Sequence, residues 1–545
     1  MNISIFYITL ITIIGSILRI IGFSKTGGLW NDEYVSWYIS SIPLGKAFIQ
    51  GILSQCHMPL YYLYLKIFSQ ISNNDLILRL SSIIPGIIAI PVMYIVGREK
   101  NKLTGYMCAT FTALSSFLIY YSQEVRFYSL LFLFSALSLY FTIRIIKKQN
   151  IKNLSGLLIF NFLILLTHTI GFVYVFFDLC FITFKLRNQY KEFIYRIWII
   201  SCLTVLICAP LVIKIFTTTS FSQWWAPFNF YRILQFINDF FSPVISKVSL
   251  VENLHNFDYI TIFALVSSII AVIVMIAAIF DKYLRYENQI GYIALGTFIV
   301  AIIASLSGKM VFDSKYIIEI YPILILIFCS SVDSCHKKWF SVLLFSFYFA
   351  LQFAFVFTPN FASYLPREEG HRYVAKLLQN AKLNDNDFIV LTYYPKTRFE
   401  KYFDFSKYNV IEIHKGNFNE FFMPQITYKE TITKGKEKYR PTFINSIMPK
   451  NKFSGSLLVY YLNNQAYLKM KKGQKICFLF LDSVSFLDEN AFKYIVFNEQ
   501  NYKKAPLLYL VFSDVRNEII KTIPEKAKNL RYEAIGAWTL VTFEY

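Results

Sequence analysis

Apolar stretches long enough to cross a hydrocarbon layer recur along the first two thirds of the chain, among them residues 3–23, 260–280 and 341–357. A run of about 17–25 apolar residues closes its own backbone hydrogen bonds as a helix and is stable where water is absent. Composition agrees: 55% of the residues are hydrophobic and 16% charged, against roughly 45–50% and about 25% in soluble domains. A plain cytosolic enzyme is excluded, and a polytopic α-helical membrane protein is expected. Residues 1–23 have no basic residue ahead of the apolar run and no small-residue cleavage site behind it, so they read as the first spanning helix rather than as a signal peptide.

Basic residues cluster in short loops: Arg98, Lys100 and Lys102; Arg144, Lys147, Lys148 and Lys152; Lys185, Arg187, Lys191 and Arg196; Lys282 and Arg285; Lys337 and Lys338. Short positive loops face the cytoplasm. Taking them as inside gives eleven spans, near 3–23, 76–97, 104–120, 127–146, 154–168, 171–184, 194–215, 259–280, 289–306, 312–332 and 338–357. The segment Pro59 to Ile71 is too short for an untilted crossing and too apolar for open water. It is read as embedded on the outer side; a crossing there together with a split neighbour makes the count thirteen.

After Thr358-Pro359 the spans stop and a soluble domain, 359–545, is expected outside the cytoplasmic membrane. Short strand candidates at 388–392, 410–413, 476–481, 507–512 and 538–543, with a helix-like stretch at 371–381, make it α/β or α+β. It holds 28 Lys and Arg against 19 Asp and Glu, and the membrane part 26 against 15. The basic balance of the tail reads as a solvated surface, or as an attraction for anionic lipid heads or an anionic acceptor.

Six of the eight cysteines lie in or beside spans, and only Cys56 and Cys477 fall on the expected outside, so no disulfide framework is expected. There is no zinc-type Cys or His spacing, no Walker A loop and no Gly-x-Gly-x-x-Gly opening a helix after a strand. Neither nucleotide chemistry nor a nucleic-acid partner is expected.

The chemistry-bearing residues fall in the outer loops. Leu29-Trp30-Asn31-Asp32-Glu33-Tyr34 sets two adjacent carboxylates directly after the first span. Such a pair suits a general base, and equally an interfacial acid pair capping a short helix. His57-Met58-Pro59-Leu60-Tyr61-Tyr62 closes that loop, and Arg79-Leu80-Ser81 begins the next span. The turn Tyr121-Ser122-Gln123-Glu124-Val125-Arg126-Phe127-Tyr128 places an acid and a base between two apolar spans. Ionisable groups near membrane depth are costly, so they read as functional, with a local Glu124/Arg126 ion pair as the structural alternative. In the long loop 216–258, Trp224-Trp225 and Phe240-Phe241 read as a membrane anchor ahead of a sugar-stacking platform.

These elements, in this order, resemble the family C glycosyltransferases (GT-C) that use polyprenyl-phosphate sugars, in the branch of protein mannosyltransferases and lipid A aminoarabinose transferases. The resemblance covers about residues 1–335. Thr167-His168 resembles the family's His at the outer end of a later span, and Lys315-Tyr316 with Pro322 its Arg-Tyr before a Pro-containing span. Met58 stands where a second Pro is usual, and Lys315, which keeps the charge but loses the planar fork, stands where Arg is usual.

The resemblance implies a multi-pass membrane enzyme with its active site on the extracytoplasmic side, a polyprenyl-phosphate sugar donor, an extracytoplasmic acceptor, and contact with membrane lipids. By that analogy Asp32 is the base, with Glu33 orienting it. Arg126 and Lys315 clamp the donor phosphate, Arg79 is a third cation, and Glu124, His57, Tyr61, Tyr316 and His168 line the donor site. Attack from the face opposite the phosphate would invert the anomeric centre. Phosphate and carboxylates are hard ligands that suit a divalent metal, although cationic side chains suffice for the chemistry. Two other readings stay open: a transporter or flippase of lipid-linked glycans, against which stand acids at the outer ends of spans and no evident repeat, and a glycan polymerase or ligase.

Overall fold

The computed structural model describes residues 3–21, 28–54, 57–188, 190–218, 231–241, 285–306, 312–334, 370–385, 387–391, 396–412, 475–481, 528–535 and 538–544, with four isolated positions between 339 and 346. The expected span 259–280, all but those four positions of 338–357, the strand candidate 507–512 and the Trp224-Trp225 pair lie outside the described residues. The chain folds into two compact units, 1–24 with 35–365, and 25–34 with 366–545.

The first unit is helical. In chain order it contains α1 (Ile3–Ile20), α2 (Asn31–Ser41, its first turn belonging to the other unit), α3 (Lys46–Ser54), α4 (Leu60–Ile71), α5 (Asp75–Arg98), α6 (Lys102–Leu114), α7 (Ser116–Ser122), α8 (Tyr128–Lys147), α9 (Ile151–Thr167), α10 (Gly171–Leu186), α11 (Lys191–Thr218), α12 (Tyr231–Phe241), α13 (Arg285–Leu306) and α14 (Tyr321–Ser334). Among the described residues four helices, α5, α8, α11 and α13, are long and apolar enough to cross a membrane, and α6 with α7 makes a fifth if the 56° bend between them belongs to one span. The apolar helices at 4–20 and 151–167 are shorter. Pro59–Ile71 forms only the 12-residue α4, about one half of a bilayer crossing by length. The run 312–332 differs from a continuous span: residues 314–317 turn, Ile318–Ile320 is a 3-10 turn, and α14 starts at Tyr321.

Asparagines open the helices that follow two of the basic loops. The side chains of Asn101 and Asn150 accept from the backbone N–H of Thr104 and Asn153, each at 2.9 Å, and so cap α6 and α9. The basic loops gather at one end of this unit. Glu99, after α5, pairs with Arg144 at 3.4 Å and Lys147 at 2.8 Å at the end of α8. Asp333, near the end of α14, accepts from Asn101 at 2.6 Å and Thr104 at 3.0 Å. Positive charge that the sequence spreads over several loops is therefore collected on one face.

Close helix contacts depend on small residues. A Cβ at Gly97 would meet the Thr104 carbonyl oxygen at 2.8 Å, and one at Gly105 the Tyr94 carbonyl oxygen at 2.9 Å. The backbones of α5 and α6 thus approach as small-residue interfaces allow in lipid, where packing replaces the hydrophobic drive. A buried polar network joins the next three helices: Asp178 accepts from Thr142 at 2.7 Å and Asn161 at 3.1 Å, and Asn161 accepts from Ser138 at 2.6 Å.

The second unit carries helix α15 (His371–Asn380) and strands β1 (Phe388–Leu391), β2 (Asn409–Glu412), β3 (Lys475–Leu481), β4 (Lys528–Ile535) and β5 (Trp538–Glu544). The five-stranded sheet runs β2-β1-β3-β5-β4. β1 pairs parallel with β2 and β3, and β5 pairs antiparallel with β3 and β4. Val374, Leu377 and Leu378 of α15 pack against Ile389, Leu391, Leu479 and Leu540 in one core. The domain is thus α/β in character, with β4 an element the sequence reading lacked.

The Gly97 contact sets a stability test. Gly97→Val forces a branched side chain onto a backbone oxygen and is expected to destabilise the membrane unit by roughly 1–3 kcal/mol. Thermal unfolding of the detergent-solubilised protein should show a lowered midpoint, while Gly45→Ala, where a Cβ meets nothing within 4 Å but φ is +158°, should shift it less.

Candidate active site

The turn between α7 and α8 is tied directly to α5 and to the end of α1, and through α5 to α4. Arg79 of α5 is buried and donates to the carbonyl of Gln123. Ser82, one turn on, donates to the carbonyl of Arg126 at 2.9 Å, and Tyr61 of α4 lies 3.1 Å from the Ser81 hydroxyl and 3.2 Å from that of Ser82. Gln123 donates back to the carbonyls that end α1, the closest being Arg19 at 3.1 Å. The bend before the turn is stabilised in the same way. Buried Arg19 donates to Thr112 at 2.8 Å and Ala113 at 3.1 Å, so its charge meets the negative end of α6.

On this scaffold Arg126 is buried, donates to Ser36 of α2 at 3.2 Å, and stands 3.5 Å from Nε2 of His57. The other nitrogen of His57, Nδ1, is 2.9 Å from the Tyr62 hydroxyl. His168, which ends α9, stacks on Phe127 with ring centroids 4.6 Å apart and faces Tyr316 at 5.9 Å. His57 and His168 are 6.1 Å apart by ring centroids. Lys315 places its Nζ 5.2 Å from the Tyr316 ring. Glu124 is buried in the same turn.

Arg126, His57, His168, Tyr316 and Lys315 thus come together from four loops, with Tyr61 and Arg79 supporting them. This end is opposite to the basic hairpins, because α8 and α9 each run from one to the other. The imidazole of His57 is held well below the usual histidine range, first by burial and then by Arg126, His168 and Lys315. Neutral imidazoles beside a buried guanidinium and a lysine form a set of donors suited to an oxyanion.

The loop carrying Lys315 has its own support, which the sequence reading missed. Arg232 of α12 pairs with Asp313 at 3.6 Å, Ser314 donates to Asp239 of α12 at 2.6 Å, and the Lys315 N–H reaches Asp313 at 3.2 Å. Burial, with Asp313 nearby, raises the Asp239 carboxyl to about 7 despite the Ser314 hydroxyl. The signal was present in the long outer loop, where Arg232, Phe236, Asp239 and Phe240 recur at helical spacing. Phe236 and Phe240 both pack on Tyr321.

In the second unit the two first-loop acids take different environments. Glu33 is fully buried and accepts from the Trp30 N–H at 3.2 Å, closing the start of α2. Asp32 is partly exposed, with Asn31 Nδ2 3.5 Å from it. The same segment is fixed to its unit by the His371 N–H donating to the Leu29 carbonyl at 3.1 Å, and by the Leu29 N–H donating to the Tyr402 hydroxyl at 2.9 Å. Tyr34 also donates to the Thr397 carbonyl. Among the described residues no three His, Cys, Asp or Glu side chains gather as a metal site.

Residues 56–213 match the family of dolichyl-phosphate-mannose-protein mannosyltransferases. The fold is similar to that of the Archaeoglobus fulgidus oligosaccharyltransferase tethered to an acceptor peptide, with a TM-score of 0.50 at 11% identity, covering 99% of this chain and 88% of that one. ArnT from Cupriavidus metallidurans in the apo state matches with a TM-score of 0.49 at 12% identity, over 98% of this chain and 97% of that one. No curated protein sequence matches the chain. The chain thus shares the fold of that oligosaccharyltransferase.

The depressed imidazole makes a pH test. Because the unfolded chain takes up a proton near pH 6.5 and native His57 does so only at lower pH, native stability is complete above about 6.5 and is lost as pH falls below it. His57→Gln should flatten the acid limb of the unfolding profile between about pH 6.5 and 5. An unchanged slope in the variant would show that His57 titrates normally.

Proposed function

We propose that this protein is a glycosyltransferase of the GT-C type that moves one sugar from a polyprenyl-phosphate donor to an extracytoplasmic acceptor, inverting the anomeric centre in one displacement. The observation that carries the reading is the convergence of Arg126, His57, His168 and Lys315 at the end of the helical unit opposite to its basic hairpins. Basic hairpins face the cytoplasm, so that end opens outward, where nucleotide sugars are absent and a sugar on a lipid phosphate is the available donor. The family matched over 56–213 is described by such a donor, and the match contains His57, Tyr61, Arg79, Glu124, Arg126 and His168.

In the reaction the bond from the anomeric carbon to the phosphate oxygen breaks as the acceptor oxygen attacks, and charge accumulates on the phosphate. Arg126 and Lys315 oppose that charge. Arg79, spent on the Gln123 carbonyl, acts by positioning the Arg126 turn. Asp32 takes the acceptor proton. Of the two acids it is the accessible one, while Glu33 is buried and engaged in shaping the start of α2. The tail unit would select the acceptor.

Purified protein given a radiolabelled polyprenyl-phosphate hexose and a cell-envelope fraction should move label from lipid to acceptor. Asp32→Asn should lower transfer by about 10²–10⁴-fold with donor binding kept, and Arg126→Ala should weaken donor binding by about tenfold or more as well as turnover. Label that stays on the lipid with every acceptor fraction would refute the transferase reading, and near wild-type turnover in Asp32→Asn would remove Asp32 from it.

A further inference from the structure

One hydroxyl at the cationic end of the helical unit has no role in the account so far. Tyr128 opens α8, is wholly buried, and its phenolic oxygen has no hydrogen-bond partner among the described residues. Burying a hydroxyl unsatisfied costs desolvation free energy that a phenylalanine in its place would avoid, and native interiors rarely tolerate this without a use. The ring is fixed by Tyr121, edge-on with centroids 4.9 Å apart, and by Phe127 at 4.6 Å. Arg126 sits with its guanidinium carbon 5.9 Å from the ring centre. The charged and titratable groups within electrostatic reach of the hydroxyl are Lys315, Arg126, Tyr316 and Glu124.

Two further observations point the same way. Nδ1 of His168, which stacks on the Phe127 ring beside it, is also buried with no hydrogen-bond partner among the described residues. The first turn of the 20-residue α8 adds backbone N–H groups and the positive end of a helix dipole. A buried O–H, an unpaired imidazole nitrogen, two side-chain cations and a helix N-terminus have one ligand chemistry in common, an anionic oxygen.

We propose that the Tyr128 hydroxyl donates a hydrogen bond to a phosphate oxygen of the lipid-linked sugar, between Arg126 and Lys315. This rests on the reading of the site as a donor-phosphate site and adds to it a substrate-contacting residue. The bond strengthens as the sugar leaves and charge accumulates on the phosphate, so it serves both binding and turnover. Nothing covalent passes through the tyrosine.

The test is Tyr128→Phe in the full chain, with binding of a polyprenyl-phosphate hexose and of undecaprenyl phosphate, label transfer, and the unfolding midpoint of the lipid-free protein as readouts. A hydrogen bond to a charged group predicts roughly 10- to 100-fold weaker binding of both lipids and a loss of transfer at least as large. The lipid-free midpoint should be unchanged or raised, because the variant removes an unsatisfied hydroxyl. Unchanged affinity and turnover would overturn the proposal, as would a lowered lipid-free midpoint, which would assign the hydroxyl to the fold. Wild-type protein that binds neither lipid would instead sink the phosphate reading itself.

Discussion

The guanidinium of Arg126 is the group on which the rest of the helical unit depends. A cation buried in a lipid-embedded bundle is costly unless its environment is built around it. The surrounding structure meets that demand from several elements: Ser36 accepts from it, Ser82 holds its carbonyl, and Arg79 holds the carbonyl of Gln123 three residues earlier. The bend between α6 and α7 turns the chain into that position. Arg19 stabilises the bend by placing its own charge against the carbonyl end of α6.

Charge is thereby sorted between the two ends. At one end, acids such as Glu99 and Asp333 bind the basic hairpins to one another, so their positive charge is partly neutralised within the protein. At the other, Arg126 and Lys315 stand near imidazoles that burial and those same cations keep neutral. Arg126 and Lys315 together favour an anion, and the neutral imidazoles leave room for one without adding further repulsion. The carboxylates of Asp313 and Asp239 are engaged by Arg232 and Ser314 in shaping the Lys315 loop.

Much of this was legible in the sequence because membrane constraints leave few alternatives. Apolar length gave the long helices α5, α8, α11 and α13, and alternating short runs gave β1, β2, β3 and β5. The motif residues His57, Arg126, His168 and Tyr316 were each named from loops far apart in the chain, and the fold brings them together. Less legible were elements whose signal is not periodic apolarity. The run 312–332 is mostly apolar yet α-helical only from Tyr321, because Asp313 and Ser314 are tied to α12 and the chain turns before it can coil. The strand β4, Lys528–Ile535, carries charges between its apolar residues and reads poorly as a strand until β5 pairs with it. The different environments of Asp32 and Glu33 could not be read from adjacent identical charges, since they arise from the helix start that Glu33 closes.

If Arg126 and Lys315, at the end opposite to the basic hairpins, hold the phosphate of a lipid-linked sugar, the bound lipid must show it. A cryo-EM structure of the full protein in lipid nanodiscs with a polyprenyl-phosphate hexose tests it most directly. Phosphate density is expected to be bounded by Arg126, Tyr128, His168 and Lys315, with the lipid tail leaving between helices at the end opposite to Glu99 and Asp333. Phosphate bound instead among the basic hairpins, or a lipid seated with no density near Arg126, would contradict it.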